Sequence, residues 1–332
     1  MKALVLEDKD IPLQIKTIAD PLLKAGKIQI RIKAAALNHR DLWITKGQYA
    51  GIQYPLVLGS DGAGIVERVG ASVSSEWTGK AVLINPSFNW GDDEEAQGKD
   101  FKILGLPDNG TLAELINVPL EYVHPMPSHL TFAQAAALPL AGLTGYRALF
   151  KRARTKAGDR VLVTGIGGGV AQFALQFAQK TGCEVWVTSG SEAKIRGAVG
   201  MGAKGGANYK TDGWAKQLKE SAGNFDVIID GAGGAGFADL TDLAANGGRI
   251  VIYGGTRGNL EKVSPQRIFW KQLSILGSTM GSPSDFHNML RFVNEHEIVP
   301  VIDEVFPFSE AAQAFAKMEA GTQVGKLVIE VG

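Results

Sequence analysis

The chain has 332 residues and a mass of 35.3 kDa, enough for two domains at roughly 150 residues each. Lysine plus arginine equals aspartate plus glutamate at 34 each, so no global field draws the protein to nucleic acid or to an anionic membrane. The single cysteine, Cys183, excludes an intrachain disulfide and a multi-cysteine zinc site, and the longest apolar run, Ala135–Leu143, contains a proline and is too short to span a bilayer.

From the start of the chain, Met1-Lys2-Ala3-Leu4-Val5-Leu6-Glu7 reads as a strand rather than a signal peptide, which sets the expectation of a soluble, cytoplasmic protein. Ile28-Gln29-Ile30-Arg31-Ile32 alternates with period two, and Ile65–Val69 and Ala81–Ile84 are similar short runs between glycine and proline breakers. Residues 85–110 read as a long irregular segment whose run Asp92-Asp93-Glu94-Glu95 is expected to be a solvated loop. Beyond Pro127 the pattern changes. Thr131 is placed to cap a helix, and from Arg160 onward strands alternate with helices. The expected strands are Arg160–Gly165, Glu184–Ser189, Ala207–Tyr209, Phe225–Asp230, Arg249–Gly254 and Ser274–Thr279. That rhythm predicts an α/β fold with a doubly wound parallel sheet of the Rossmann type. Lys326–Glu330 closes the chain as a further strand.

Glycine occurs 42 times, nearly double the usual ~7%. The glycines gather at the ends of apolar runs, where a backbone turns sharply or approaches a ligand. The clearest cluster is Gly165-Ile166-Gly167-Gly168-Gly169-Val170-Ala171, between the buried strand Val161–Thr164 and a helix with Val170, Phe173, Ala174 and Phe177 on one face. Strand, glycine turn and helix together are what a dinucleotide fingerprint requires, because bare backbone N–H groups at a positive helix end meet a pyrophosphate at close range.

The end of the second strand selects the dinucleotide. An NAD site has Asp or Glu there to accept the ribose 2′-OH. Here Ser189, Gly190 and Ser191 stand at the tip, followed by Lys194, and Glu192 lies past the turn. Hydroxyls and a cation suit a 2′-phosphate, so NADPH is expected over NADH.

With these residues in view, the chain resembles the medium-chain dehydrogenase/reductase superfamily over essentially its whole length, and its zinc-free quinone oxidoreductase branch in particular. The resemblance rests on Ala36–Asp41 (Ala-Leu-Asn-His-Arg-Asp), Leu58–Val66, Asn109–Glu114, Ala141–Tyr146, the glycine loop and Val324–Val328. It implies a discontinuous, mostly β GroES-like catalytic domain, residues 1–125 completed by 298–332, around a Rossmann domain at 126–297. It also implies a homodimer through the last Rossmann strand.

In the family's zinc-dependent branch, the first catalytic cysteine falls on Asn38, the histidine on Ser60 and the second cysteine on Leu140 of this chain. None is a zinc ligand of the usual kind. The relay hydroxyl of that branch falls on Arg40, and the 85–105 region has no cysteine for a structural zinc. No metal is therefore expected. Without a Lewis acid, oxidation of an unactivated alcohol is hard, whereas hydride delivery to an electron-poor quinone or enone needs only hydrogen-bond donors at the developing oxyanion.

The resemblance places Asn38 beside the nicotinamide, and the residue equally suits capping of the helix that follows. Trp43 and Tyr49 match aromatic substrate-pocket positions, Tyr49 with a hydroxyl able to donate to a carbonyl, although both also suit a plain core. His39 is a proton donor by position, or a satisfied histidine without a role. Thr144 matches a residue near the nicotinamide. Tyr209 matches the residue beside the adenosine 2′-phosphate and completes an NADPH clamp with Ser189, Gly190 and Lys194. Gly231, Tyr253, Gly254 and Gly255 are expected to clear room for ribose and nicotinamide, and Gly277, Ser278, Gly325 and Lys326 to complete the nicotinamide end. Asp61 is expected to be a buried carboxylate paired with a cation, and Cys183 to be core. The combined expectation is an NADPH-dependent, zinc-free reductase of quinones or α,β-unsaturated carbonyls, with a small electrophile as partner. A dinucleotide-binding redox sensor without turnover and an alcohol dehydrogenase are the alternatives.

Overall fold

The computed structural model describes residues 1–332, which divide into two compact units, 1–141 with 281–332, and 142–280. The main sheet of the first unit has seven strands. Val123–Pro125, Ala81–Ile84, Asp61–Val69, Lys27–Ala36, Lys326–Glu330 and Ile302–Pro307 follow in spatial order, with Leu115–Pro119 paired to the start of Lys27–Ala36. The long strand Lys27–Ala36 carries the period-two signal, with Ile28, Ile30 and Ile32 all buried in a core shared with Leu4, Leu6 and Val118. Its far end, three alanines at 34–36, is sandwiched between Asp61–Ala63 and Val328–Glu330. A second sheet joins Gln14–Thr17, Lys2–Leu6 and Leu56–Val57.

The unit boundaries differ from the expected 125/126 and 297/298. Helix Phe132–Ala137, opened by a reciprocal Thr131–Gln134 cap, packs its alanines on the strands Lys27–Ala36 and Asp61–Val69 and so belongs to the first unit. Helix Pro283–Glu295 joins it as well, burying Phe286, Met289 and Val293, with His124 4.8 Å from the Phe286 ring. Burial, and then His287, lower the His124 pKa to about 4, so that imidazole is neutral.

The acidic run is not simply solvated. Glu94 accepts hydrogen bonds from the hydroxyls of Ser282 and Ser284, each at 2.6 Å. Beside it the buried Trp90 donates its indole N–H to the Asp93 carbonyl and packs edge-on against Phe101. A carboxylate at the start of helix Pro283–Glu295 also complements that helix's dipole.

The second unit holds a six-stranded, all-parallel sheet in the order Gly205–Asn208, Glu184–Ser189, Arg160–Val163, Phe225–Asp230, Ala244–Ile252, Ser274–Gly277. Numbered along the chain this is 3-2-1-4-5-6, the doubly wound order whose ligand crevice lies beyond the strand carboxyl ends. Leu162, Ile228 and Ile250 pack with Leu218, Phe237 and Leu240 on one face. The alternate residues Val161, Val163, Ile229 and Val251 are as deeply buried, which requires cover on both faces. Cys183 is not core. It is half-buried, its thiol donates to the Lys156 carbonyl, and burial, then Asp159, push its pKa up to about 11. No helix in the chain is long and apolar enough to cross a membrane.

Candidate functional site

The glycine loop follows directly from the strand Arg160–Val163. Gly165 adopts φ +62°, a conformation that glycine alone enters without strain, and the helix Gly169–Lys180 starts four residues later with Gly168 as its cap. The loop is held from below: the Ile166 N–H donates to the Thr188 carbonyl at 2.9 Å, and the Gln172 amide donates to the Ile166 carbonyl at 2.5 Å. Val170 and Ala171 therefore lie in the first turn, where N–H groups have no partner within the helix and the dipole is positive. The buried Ala171 lets helix and strand approach closely.

At the next strand tip, the Ser189 hydroxyl accepts the Ser191 N–H at 3.2 Å, and the Tyr209 N–H donates to the Ser189 carbonyl. Tyr209 folds over Gly190, whose missing Cβ would lie 2.9 Å from the phenol oxygen and 2.8 Å from Lys210 Cε. The Arg257 guanidinium stacks on the Tyr209 ring, 5.0 Å from its centroid. Lys194 stands in the first turn of the helix Glu192–Gly200, and Glu192 is solvent-exposed. Ser189, Gly190 and Tyr209 are thus brought together, and the structure adds Lys210 and Arg257. Lys210 adjoins Tyr209 in sequence and was legible there. Arg257 arrives from a loop 48 positions further on, pinned by its N–H to the Ala232 carbonyl, and no local signal marks it.

At the ends of the fourth and fifth strands, Asp230 accepts from the Thr164 hydroxyl (2.6 Å) and the Gly233 N–H (2.9 Å), tying the glycine-loop strand to this turn. Gly231 packs beside Tyr253. A Cβ there would lie 2.5 Å from the Tyr253 ring, so the glycine makes room for that tyrosine. Burial, then Asp230, raise the Tyr253 phenol well above its usual range, so it stays protonated. Gly254 and Gly255 follow in the same turn. Ser278 donates its N–H to the Ile252 carbonyl, and the neighbouring Gly277 carbonyl accepts from Arg152. Thr144 is buried with its hydroxyl toward the Met280 sulfur, 4.0 Å away.

In the first unit, Asn38 opens the helix His39–Thr45, and its N–H donates to Asp41 Oδ2 at 2.8 Å. Its side-chain amide donates to Asp61 Oδ2 (2.9 Å) and accepts from Lys326 Nζ (2.6 Å), which also donates to Asp61 (3.0 Å). Asp61 is 0% and Lys326 4% exposed, and the Leu140 N–H completes the carboxylate's partners. Asp61 is the cation-paired carboxylate expected. Lys326, expected at the nicotinamide end, is that cation. Gly325 before it has φ +89°, and a side chain there would overlap the Val301 carbonyl, so backbone packing explains that glycine.

His39 reaches the surface, but desolvation, then the Lys326 charge, lower its pKa and favour the neutral ring. A neutral imidazole is a poor proton donor, which weakens that expected role. Trp43 is half-buried and Tyr49 is 37% exposed, so neither is core. The Arg40 guanidinium lies 5.2 Å from the Tyr49 ring centroid and donates to the Ser60 hydroxyl at 2.5 Å. A metal would meet a fixed cation at Ser60, and no three His, Cys, Asp or Glu side chains are placed to hold one. The donor set does not fit zinc.

Residues 24–128 match the family model of the alcohol dehydrogenase GroES-like domain and residues 169–295 that of the zinc-binding dehydrogenase. The chain is 35% identical to the zinc-type alcohol dehydrogenase-like protein YogA of Leptosphaeria maculans, over 96% of this chain and 95% of that one. It is 30% identical to the quinone oxidoreductase of Mus musculus, over 93% and 90%. A solved structure described as an NAD-dependent alcohol dehydrogenase superposes with a TM-score of 0.95 at 36% identity, covering 100% of both chains. The chain belongs to the medium-chain dehydrogenase/reductase superfamily and is an oxidoreductase of that NAD(P)-dependent family.

Proposed function

We propose that the protein is an NADPH-dependent, zinc-free reductase of quinones or α,β-unsaturated carbonyl compounds. The observation that carries this reading is the contact of Arg40 with Ser60, a cation set where a metal-dependent alcohol oxidation would need an open ligand. The dinucleotide would be held by the backbone of the Gly165–Val170 loop, with its 2′-phosphate met by Ser189, Lys194, Tyr209, Lys210 and Arg257. When bound it supplies a hydride. The chain's own part is to orient the electrophile and to hold charge as it develops on oxygen. The test is loss of nicotinamide absorbance at 340 nm with NADPH and NADH in parallel, against 1,2- and 1,4-quinones and short enones. NADPH should be consumed faster with at least one acceptor. Silence with every acceptor despite tight NADPH binding would shift the reading to a binding protein without turnover.

Alcohol dehydrogenases stand among the relatives, and that second reading requires a metal. Elemental analysis near one zinc per chain, with alcohol-dependent reduction of NAD, would establish it and sink the first.

We also propose a homodimer through the outer strand Ser274–Gly277. That strand has an open edge, and on the preceding helix Phe269 and Trp270 are 64% and 83% exposed. Apolar side chains of this size beside an unpaired edge mark a contact surface. In sedimentation, wild-type protein should run as a dimer and Trp270→Glu as a folded monomer. A wild-type monomer at micromolar concentration would refute this assembly.

A further inference from the structure

Arg40 is a buried cation with no salt-bridge partner. The residue is 8% exposed; Nη1 donates to Ser60 Oγ and to the Leu104 carbonyl (2.9 Å), and Nε is enclosed without a hydrogen-bond acceptor. Asp41 attracts the guanidinium through space, but neither neighbouring carboxylate hydrogen-bonds to it. Asp41 gives Oδ2 to the Asn38 N–H and leaves Oδ1 unpaired, while Asp61 is engaged by Lys326. The open face of the guanidinium carries the ring of Tyr49, itself partly exposed. A desolvated charge is costly unless something of opposite sign meets it, and Ser60 and Leu104 offer only neutral oxygens. With Nη1 fixed on two neutral oxygens and Nε walled off, Nη2 beside the Tyr49 ring is the guanidinium nitrogen left for an oxyanion.

We infer that Arg40 is a catalytic residue whose guanidinium takes the carbonyl oxygen of the electrophile and holds the negative charge that hydride addition delivers to it. This rests on the reductase reading above. In an enone, hydride forms a bond to the β-carbon, the C=C pair shifts toward the carbonyl, and the C=O π pair moves onto oxygen, giving an enolate against Arg40. A proton from water then forms the α-C–H bond, leaving the saturated ketone and the oxidised nicotinamide. The Tyr49 ring positions a planar substrate by stacking, and Ser60 and Leu104 stop the guanidinium from turning away.

The test pairs kinetics with ligand binding. Arg40→Met, nearly the same shape without charge, should lose about 100-fold in kcat, the usual effect of removing an oxyanion donor. NADPH affinity, read by fluorescence, should stay within about twofold, Arg40→Lys should fall between, and added methylguanidinium should restore part of the loss. A folded Arg40→Met enzyme with kcat within about threefold of wild type would overturn the inference, whatever its melting temperature. Should that variant fail to fold, calorimetry on the wild-type protein decides. Benzoate, a planar oxyanion, should bind at least about tenfold tighter than benzamide, and equal affinities would overturn the assignment. The benzoate comparison needs no turnover, so it still judges Arg40 if the wild-type protein reduces nothing and the reductase reading itself falls.

Discussion

Gly190→Asp is expected to reverse the cofactor preference, weakening NADPH binding about 100-fold while sparing or improving NADH. The new carboxylate would enter the space between the Tyr209 phenol and Lys210, where Cε and the hydroxyl stand under 3 Å from an added Cβ. Both are ends of flexible groups and can give way. Once there, the carboxylate repels a 2′-phosphate, engages Lys210 and accepts from a ribose 2′-OH. Loss of charge-assisted hydrogen bonds at about 1.5–3 kcal/mol each, with like-charge repulsion added, converts to roughly two orders of magnitude in affinity. Fluorescence titration with both dinucleotides measures it. Unchanged NADPH affinity would mean that the phosphate is held elsewhere, and would remove Tyr209, Lys210 and Arg257 from the site together.

The largest loss of stability should come from Asp61→Asn. The Lys326 amine, at 4% exposure, would lose its ion-pair partner and keep only neutral oxygens as hydrogen-bond acceptors. Stranding one member of a buried pair costs about 3–5 kcal/mol, a large part of what holds a domain folded. Asp61→Asn with Lys326→Met should recover much of that loss, because the stranded charge goes too, and chemical denaturation of the four proteins gives the coupling. A single-mutant loss below about 1 kcal/mol would show that the pair is solvated after all.

The Rossmann half of the fold was legible because its strands are buried on both faces and show as short, mostly apolar runs between glycine-rich turns. Glu184–Ser189 and Phe225–Asp230 fall where the pattern put them. The third strand was misplaced by two residues, Gly205–Asn208 rather than Ala207–Tyr209, for a tertiary reason. Gly205 and Gly206 have no strand propensity, but a Cβ at Gly205 would lie 2.5 Å from the Trp186 ring, so the indole occupies that space. The compact units divide elsewhere than the expected domain limits because the alanine face of Phe132–Ala137 says that it packs closely without saying on what. In the candidate site, Ser189 and Gly190 were proposed from the strand tip and Tyr209 from the family resemblance, and the structure brings the three together. Arg257 and the Glu94 contact with Ser282 were not legible, because loop-borne side chains reach their partners only after the fold has formed.

The Asn38–Lys326 contact joins residues 288 positions apart, across the whole of the second unit. A ribosome moving at about 5–20 residues per second needs roughly 15–60 s to cover that distance. During that interval Asn38 and Asp61 have no ammonium between them, and the strand edge at Ala34–Ala36 waits for Val328–Glu330. The 142–280 unit, contiguous in the chain, can close meanwhile. Synthesis therefore favours a nascent protein whose nucleotide fold matures first, while its other half holds an open sheet edge that a chaperone must shield or a neighbouring chain will capture.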